Sequence, residues 1–315
     1  MLQYLIILLD EASVAYCHAP SKSPMREGLI PLETLRKGIV FAMKENLNIQ
    51  FVYPERALPA EYEEVIESID HTKIKPESQG GEADVIVLTD WNNGATDVVD
   101  GETCIIHASR TDLQVHLAKI QELLDKVVRL NNVLTDIETF KDEDIDGYRQ
   151  VLDVLSGYLI EQFKAGRMVQ LNLLTDRLFL TEMNNCGAGD TNVTLAPNGC
   201  FYLCPAFYYE DPKQNVGDIT TGLLIKNRQL LRLDHAPICR HCDAYQCKRC
   251  IWMNSHMTLD VNTPSHQQCV VAHVERNASR ALLQKMEAEG IQISNTHPIS
   301  EINYLDPINN YKQWK

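Results

Sequence analysis

The stretch YLIILLDEASVAYC, residues 4–17, opens on an apolar run and passes at once into an acidic loop of small residues. Residues 4–9 lack strict alternation, which predicts a strand buried on both faces. No basic segment precedes the run and no small-residue cleavage site follows it, so it reads as a first strand and not as a secretory signal. Runs of the same kind recur at 49–53 (IQFVY), 84–88 (DVIVL), 103–107 (TCIIH), 130–135 (LNNVLT) and 169–174 (VQLNLL). Helical patterns separate them, and that alternation predicts βα units on a parallel sheet.

The helices show in their spacing. Leu32, Leu35, Ile39, Ala42 and Met43 follow Pro31, a helix-entry signal, and Pro59 opens a shorter helix through Tyr62, Val65, Ile66 and Ile69. Asp112 is expected to cap a third, carried by Leu113, Leu117, Ile120, Leu124 and Val127. A fourth is expected over 143–164 through Tyr148, Leu152, Leu155, Leu159 and Phe163, with Gly166 as its stop. The polar segment 72–82 (TKIKPESQGGE) and the stretch 91–101 read as loops. After residue 180 the text changes to short pieces bounded by Gly, Asn and Pro, too small to bury much core, where metal ligation commonly replaces the missing apolar surface. A last helix is expected over 278–289, before a tail, 304–315, whose aromatics are expected to dock.

The chain has 315 residues, 44% hydrophobic and 23% charged, with a formal charge of −14. That composition is globular, and the charge opposes binding to a polyphosphate, so nucleic acid is excluded as a partner. No apolar run approaches the ~18 residues of a spanning helix. A cytoplasmic address without a membrane segment is expected, and there clustered cysteines point to metal before disulfides.

Eight of the ten cysteines lie between Cys186 and Cys269. They run Cys186-x12-Gly199-x4-Cys204 with Cys200 inside, then Cys239-x2-Cys242-x4-Cys247-x2-Cys250, then Cys269 after eighteen residues. Thiolates two to four residues apart converge on one metal through a tight turn. Spacing leaves disulfides, two four-cysteine zinc ribbons and two iron–sulfur clusters as readings. The basic group Arg240, His241, Lys248 and Arg249 reads as a solvated rim or as a face toward an anionic cluster.

This constellation resembles the SPASM domain, the auxiliary-cluster module of radical SAM enzymes that mature ribosomal peptides. CRHCDAYQCKRCIWMN followed by NTPSHQQCVVAHVERNASR is similar to the Cys-rich and CXXX-repeat peptide maturases, although the family's dense run is usually Cys-x2-Cys-x5-Cys-x3-Cys. The resemblance implies an α/β fold: a partial (β/α)6 radical SAM-like barrel over 1–180, a small Cys-rich domain over 181–275, and a C-terminal helix and tail over 276–315. It also implies two auxiliary 4Fe-4S clusters, the first on Cys186, Cys200, Cys204 and Cys250, the second on Cys239, Cys242, Cys247 and Cys269, with zinc as the other occupant.

The family holds its S-adenosylmethionine-cleaving cluster on Cys-x3-Cys-x2-Cys after the first strand. Here the loop is 10–17, DEASVAYC, and matching Cys17 to the third cysteine puts Asp10 and Val14 at the other two. The glycine-rich acidic motif after the second strand is replaced by YPERALP, 53–59. S-adenosylmethionine is therefore not an expected cofactor, and catalysis is an open question. The resemblance implies a role in modifying a ribosomally made, Cys-rich precursor peptide, as a maturase or as a pseudo-enzyme partner that binds the precursor or a true maturase. A zinc-stabilised interaction protein is the remaining reading. His18 is expected to pair with Asp10 at the barrel mouth. Cys104 and His107 read as core, and Asp136 and Glu138 as a solvated loop.

Overall fold

The computed structural model describes residues 1–18, 28–89, 91, 102–299 and 301. The docking expected of the tail and most of the 91–101 loop lie outside them. Two compact units form, Met1–Thr89 with Gly187–His235, and Asp90–Cys186 with Ala236–Lys315. In chain order the first unit opens with β1 (Tyr4–Leu8), α1 (Leu32–Lys44), β2 (Asn48–Val52), α2 (Ala60–Ile66), β3 (Thr72–Pro76) and β4 (Val85–Leu88). The second carries β5 (Thr103–Ala108), α3 (Arg110–Val115), α4 (Leu117–Lys126), β6 (Arg129–Leu134), α5 (Ile145–Lys164), β7 (Gln170–Leu171) and α6 (Asn172–Phe179). The chain returns to the first unit for β8 (Asn192–Leu195), β9 (Phe201–Tyr202), α7 (Pro205–Glu210), β10 (Gly217–Asp218) and β11 (Gly222–Leu223), and ends in the second with α8 (Ile251–Thr258) and α9 (His266–Ala288). The α/β reading with parallel strands holds, and no helix among the described residues is long and apolar enough to cross a membrane.

In the first unit the strand order is β4-β3-β2-β1-β8-β9, parallel from β4 to β8. The hairpin β8–β9 closes antiparallel through Gly199, whose φ of +78° suits glycine. Leu5 and Ile7 of β1, Leu35, Ile39 and Ala42 of α1, and Leu195 and Phe201 of the returning hairpin form one buried cluster. Each such aliphatic or aromatic side chain contributes ~1.5–3 kcal/mol by leaving water. Helix α1 lies close over the sheet at Gly38, where a Cβ would stand 2.5 Å from Leu195 Cδ2.

Strand β3 corrects the loop reading of 72–82. TKIKP hides a strand because its lysines leave only Ile74 and Pro76 buried, while Lys75 Nζ rests 4.8 Å over the Tyr53 ring and its stem covers apolar surface.

In the second unit β5, β6 and β7 are parallel in that order, with Thr103 opposite Arg129 and Arg129 opposite Gln170. The cap of α3 is Ser109, and Asp112 is the third helical residue of a capping box: Ser109 Oγ accepts from Asp112 N at 3.1 Å, and Asp112 Oδ2 accepts from Ser109 N at 2.8 Å. The strand expected over 169–174 stops at Leu171. Asn172 turns into α6, and its side chain continues the ladder, accepting from Asn132 N at 2.8 Å and donating to Asn132 O at 2.9 Å. Helix α9 begins twelve residues earlier than expected, capped by Ser265, whose Oγ accepts from Gln268 N at 3.1 Å.

Candidate metal centre

The loop after β1 is closed on itself. Asp10 is fully buried, and its Oδ1 accepts from Ala12 N at 2.7 Å. Its Oδ2 accepts from Arg56 Nε at 3.1 Å and from the Arg56 Nη2 group. Ser13 Oγ accepts from Asp10 N at 3.0 Å and donates to Val52 O at 2.8 Å, and Val14 N donates to Tyr53 O at 2.8 Å. Val14 is buried, and Cys17 is half-buried beside Tyr209, whose phenol is pushed up by burial and then by Cys17. Arg56, from the YPERALP segment, is thus an ion-pair partner of Asp10. One ion-paired carboxylate, one buried valine and one thiol do not fit a cluster that needs three thiolates.

The second unit gathers a different set. Cys239–His241 form a 3-10 turn, and Cys242 N donates to Cys239 O at 3.0 Å. Cys247 N donates to Ala244 O at 3.0 Å, and Arg249, at φ +43°, reverses the chain between Cys247 and Cys250. Two sulfurs accept backbone N–H groups at 3.5 Å, Cys242 from Ala244 and Cys250 from Met253, the latter as the cap of α8. Such bonds favour the thiolate that binds metal.

Charge shows which thiols are neighbours. Burial pushes the Cys247 thiol well up, Cys242, Cys239 and Cys269 add to the rise, and the backbone N–H of Arg249 opposes it. Cys239 is pushed up to about 11 by burial and then by Cys242, with Arg249 opposing. The quartet Cys239, Cys242, Cys247 and Cys269 matches a four-thiolate group in donor identity alone. As they stand, no three His, Cys, Asp or Glu side chains among the described residues form a group that could hold an ion.

The frame around the quartet escaped the sequence reading. Asp243, 1% exposed and adjacent to Cys242, receives Arg276 Nη2 of α9 at 2.7 Å and stands 3.7 Å from Arg177 Nη2 of α6. Arg177 Nε also donates to Asp243 O at 3.0 Å, and Gln246 Nε2 donates to Ala272 O at 2.6 Å. Arg249, read as part of a solvated rim or of a face toward an anionic cluster, is 1% exposed and donates to Asn185 Oδ1 at 2.9 Å and Asn262 Oδ1 at 2.8 Å. Lys248 is turned inward too: burial lowers its pKa, and Asp176 opposes. A buried Asp beside a cysteine gives no sequence signal, but Cys269-x3-His273 is a helical spacing that points to a shared face.

Of the other predicted ligands, Cys186 and Cys250 lie in the second unit, where Cys186 N donates to Lys248 O at 3.0 Å. Cys200 and Cys204 lie in the first, Cys200 bridged to Asp218 and Cys204 at the N-terminus of α7. Burial and then Asp218 raise the Cys200 thiol. Cys104 is fully buried in β5 and His107 is half-buried there. Asp136 is 2.8 Å from Arg110, and Glu138 is 4.0 Å from His256.

No family model matches the chain, and no curated protein does. Among solved structures it is similar to SuiB of Streptococcus suis, crystallised bound to precursor peptide SuiA, with a TM-score of 0.41 and 14% identity over 67% of this chain and 61% of that one. The chain thus overlaps less than two thirds of that structure.

Proposed function

We propose that this chain is a radical SAM/SPASM-like partner in peptide modification, which holds metal on its clustered cysteines and binds a ribosomally made, Cys-rich precursor, or the maturase acting on it, without cleaving S-adenosylmethionine itself. The observation that carries this reading is the Asp10–Arg56 ion pair. It occupies the loop that the family uses for its reactive cluster, and Val14 faces the core where a second thiolate belongs.

Cys239, Cys242, Cys247 and Cys269 would hold one metal group. A 4Fe-4S cluster supplies electron transfer, whereas zinc supplies structural closure alone. The quartet around Cys247 also favours a second reading, a maturase that keeps its auxiliary centre. Incubation with S-adenosylmethionine and a strong reductant separates the two. The partner reading expects no 5′-deoxyadenosine above a metal-free control, and turnover that depends on the metal-loaded chain would sink it.

A further inference from the structure

We infer that Arg177 and Arg280 form a carboxylate-binding site, which the C-terminal segment fills with Glu301 and which a carboxylate of an acidic peptide partner fills when that segment yields. Beyond α9 the chain turns at Ile291, whose N–H donates to Met286 O at 2.9 Å, and His297 N donates to Leu178 O of α6 at 3.2 Å. That course brings Glu301 to both helices. Its Oε1 stands 3.7 Å from Arg177 Nη2 of α6, and its Oε2 is 2.7 Å from Arg280 Nη1 of α9. The Arg177 side chain is 3% exposed, yet its Nη2 has no hydrogen-bond partner among the described residues. Asp243, also 3.7 Å from that nitrogen, is already held by Arg276 at 2.7 Å.

A buried guanidinium N–H that reaches no acceptor marks an anion site that is filled imperfectly, because a better placed carboxylate gains the bond that Glu301 leaves unmade. The three guanidinium groups face two carboxylates, so positive charge is left over in a chain whose formal charge is −14. Its present occupant is held weakly. Glu301 is 41% and Arg280 44% exposed, and a pair so open to water is screened by salt. Residues 291–299 form no helix or strand that would fix the segment in place. The site goes beyond the metal-holding partner reading and does not depend on it.

The test uses the full chain as wild type, as Glu301→Gln and as Glu301→Gln with Arg280→Ala. The probe is a fluorescent peptide of residues 291–305, in its native sequence and in its own Glu301→Gln form, with binding read by anisotropy at low salt. A segment that binds at ~0.1 mM and is presented at an effective concentration of ~1 mM holds off a peptide in trans ~10-fold. The native peptide is therefore expected to bind the Glu301→Gln chain ~10-fold tighter than wild type. Adding Arg280→Ala, at a side chain exposed enough to be replaced without unfolding, is expected to abolish that gain. Equal affinity of the native peptide for wild type and the Glu301→Gln chain overturns the inference, and so does no binding to either. A Glu301→Gln peptide that binds as tightly as the native one also overturns it, since the carboxylate is then not what is read. No metal or S-adenosylmethionine enters these measurements, so they stand whatever the cysteines hold.

Discussion

Asp243→Ala removes a carboxylate that is 1% exposed and leaves two guanidinium groups facing its place. Arg276 Nη2 stands 2.7 Å and Arg177 Nη2 3.7 Å from Asp243 Oδ2. Burial already draws the Arg177 pKa down, with Asp243 the largest opposing influence. At an effective dielectric constant of ~20, one such pair is worth ~4 kcal/mol, and orphaning a buried partner costs ~3–5 kcal/mol. Arg276 keeps Asn277 at 3.0 Å, and Arg177 keeps the backbone oxygen of residue 243 at 3.0 Å, which places the expected loss at the lower end, ~3 kcal/mol. Against a typical stability of ~5–15 kcal/mol that is a large share. Urea unfolding followed by circular dichroism measures it, beside Arg149→Ala, whose partner Asp146 is 85% exposed and whose loss is expected to stay below ~0.5 kcal/mol. Because Asp243 is adjacent to Cys242, metal retention is expected to fall with stability. A loss no larger than that of Arg149→Ala would refute the claim that this clamp holds the centre.

Glu275 of α9 is pushed up from 4.5 to about 7 by burial first and then by Asp176, against hydrogen bonds from Tyr148 and Gln246. A fold that holds this proton more tightly than the unfolded chain keeps the full benefit below about pH 4.5 and loses it as pH rises through about 7, by on the order of 3 kcal/mol. Glu275→Gln should flatten that limb of a stability–pH curve, and superimposable curves would contradict the assignment. Asp10→Ala is expected to cost ~1–2 kcal/mol, discounted because Arg56 is 41% exposed, and Asp10→Asn less, since it still accepts from Ala12 N. Thermal unfolding of the two variants checks the order, and a neutral Asp10→Ala would mean that the loop is held by Ser13 alone.

The parallel α/β pattern was legible because buried strands and amphipathic helices write their periods locally. Residues 4–9 and the α1 face needed no partner to be recognised. Strand β3 was hidden because Lys73 and Lys75 read as loop residues, although lysine stems can cover a sheet. Strand β7 was overrun because Asn172 carries the ladder by a side chain, which an apolar run does not reveal. The parallel pairing of β8 with β1, Tyr4 opposite Asn192, joins segments far apart in the chain, and no local signal encodes that. At the centre, spacing singled out the cysteines, but the partners that frame them, Asp243 with Arg276 and Arg177, and Arg249 with Asn185 and Asn262, become visible only when helices α6 and α9 are packed.

The most direct test of the account is the metal and labile sulfide content of the chain purified without oxygen, wild type beside Cys247→Ser. Two 4Fe-4S clusters would give about eight iron with matching sulfide per chain, and two zinc sites about two zinc. The account predicts a metal-loaded wild type and a lower metal content in Cys247→Ser. A metal-free wild type, or a Cys247→Ser variant with unchanged content, would contradict it.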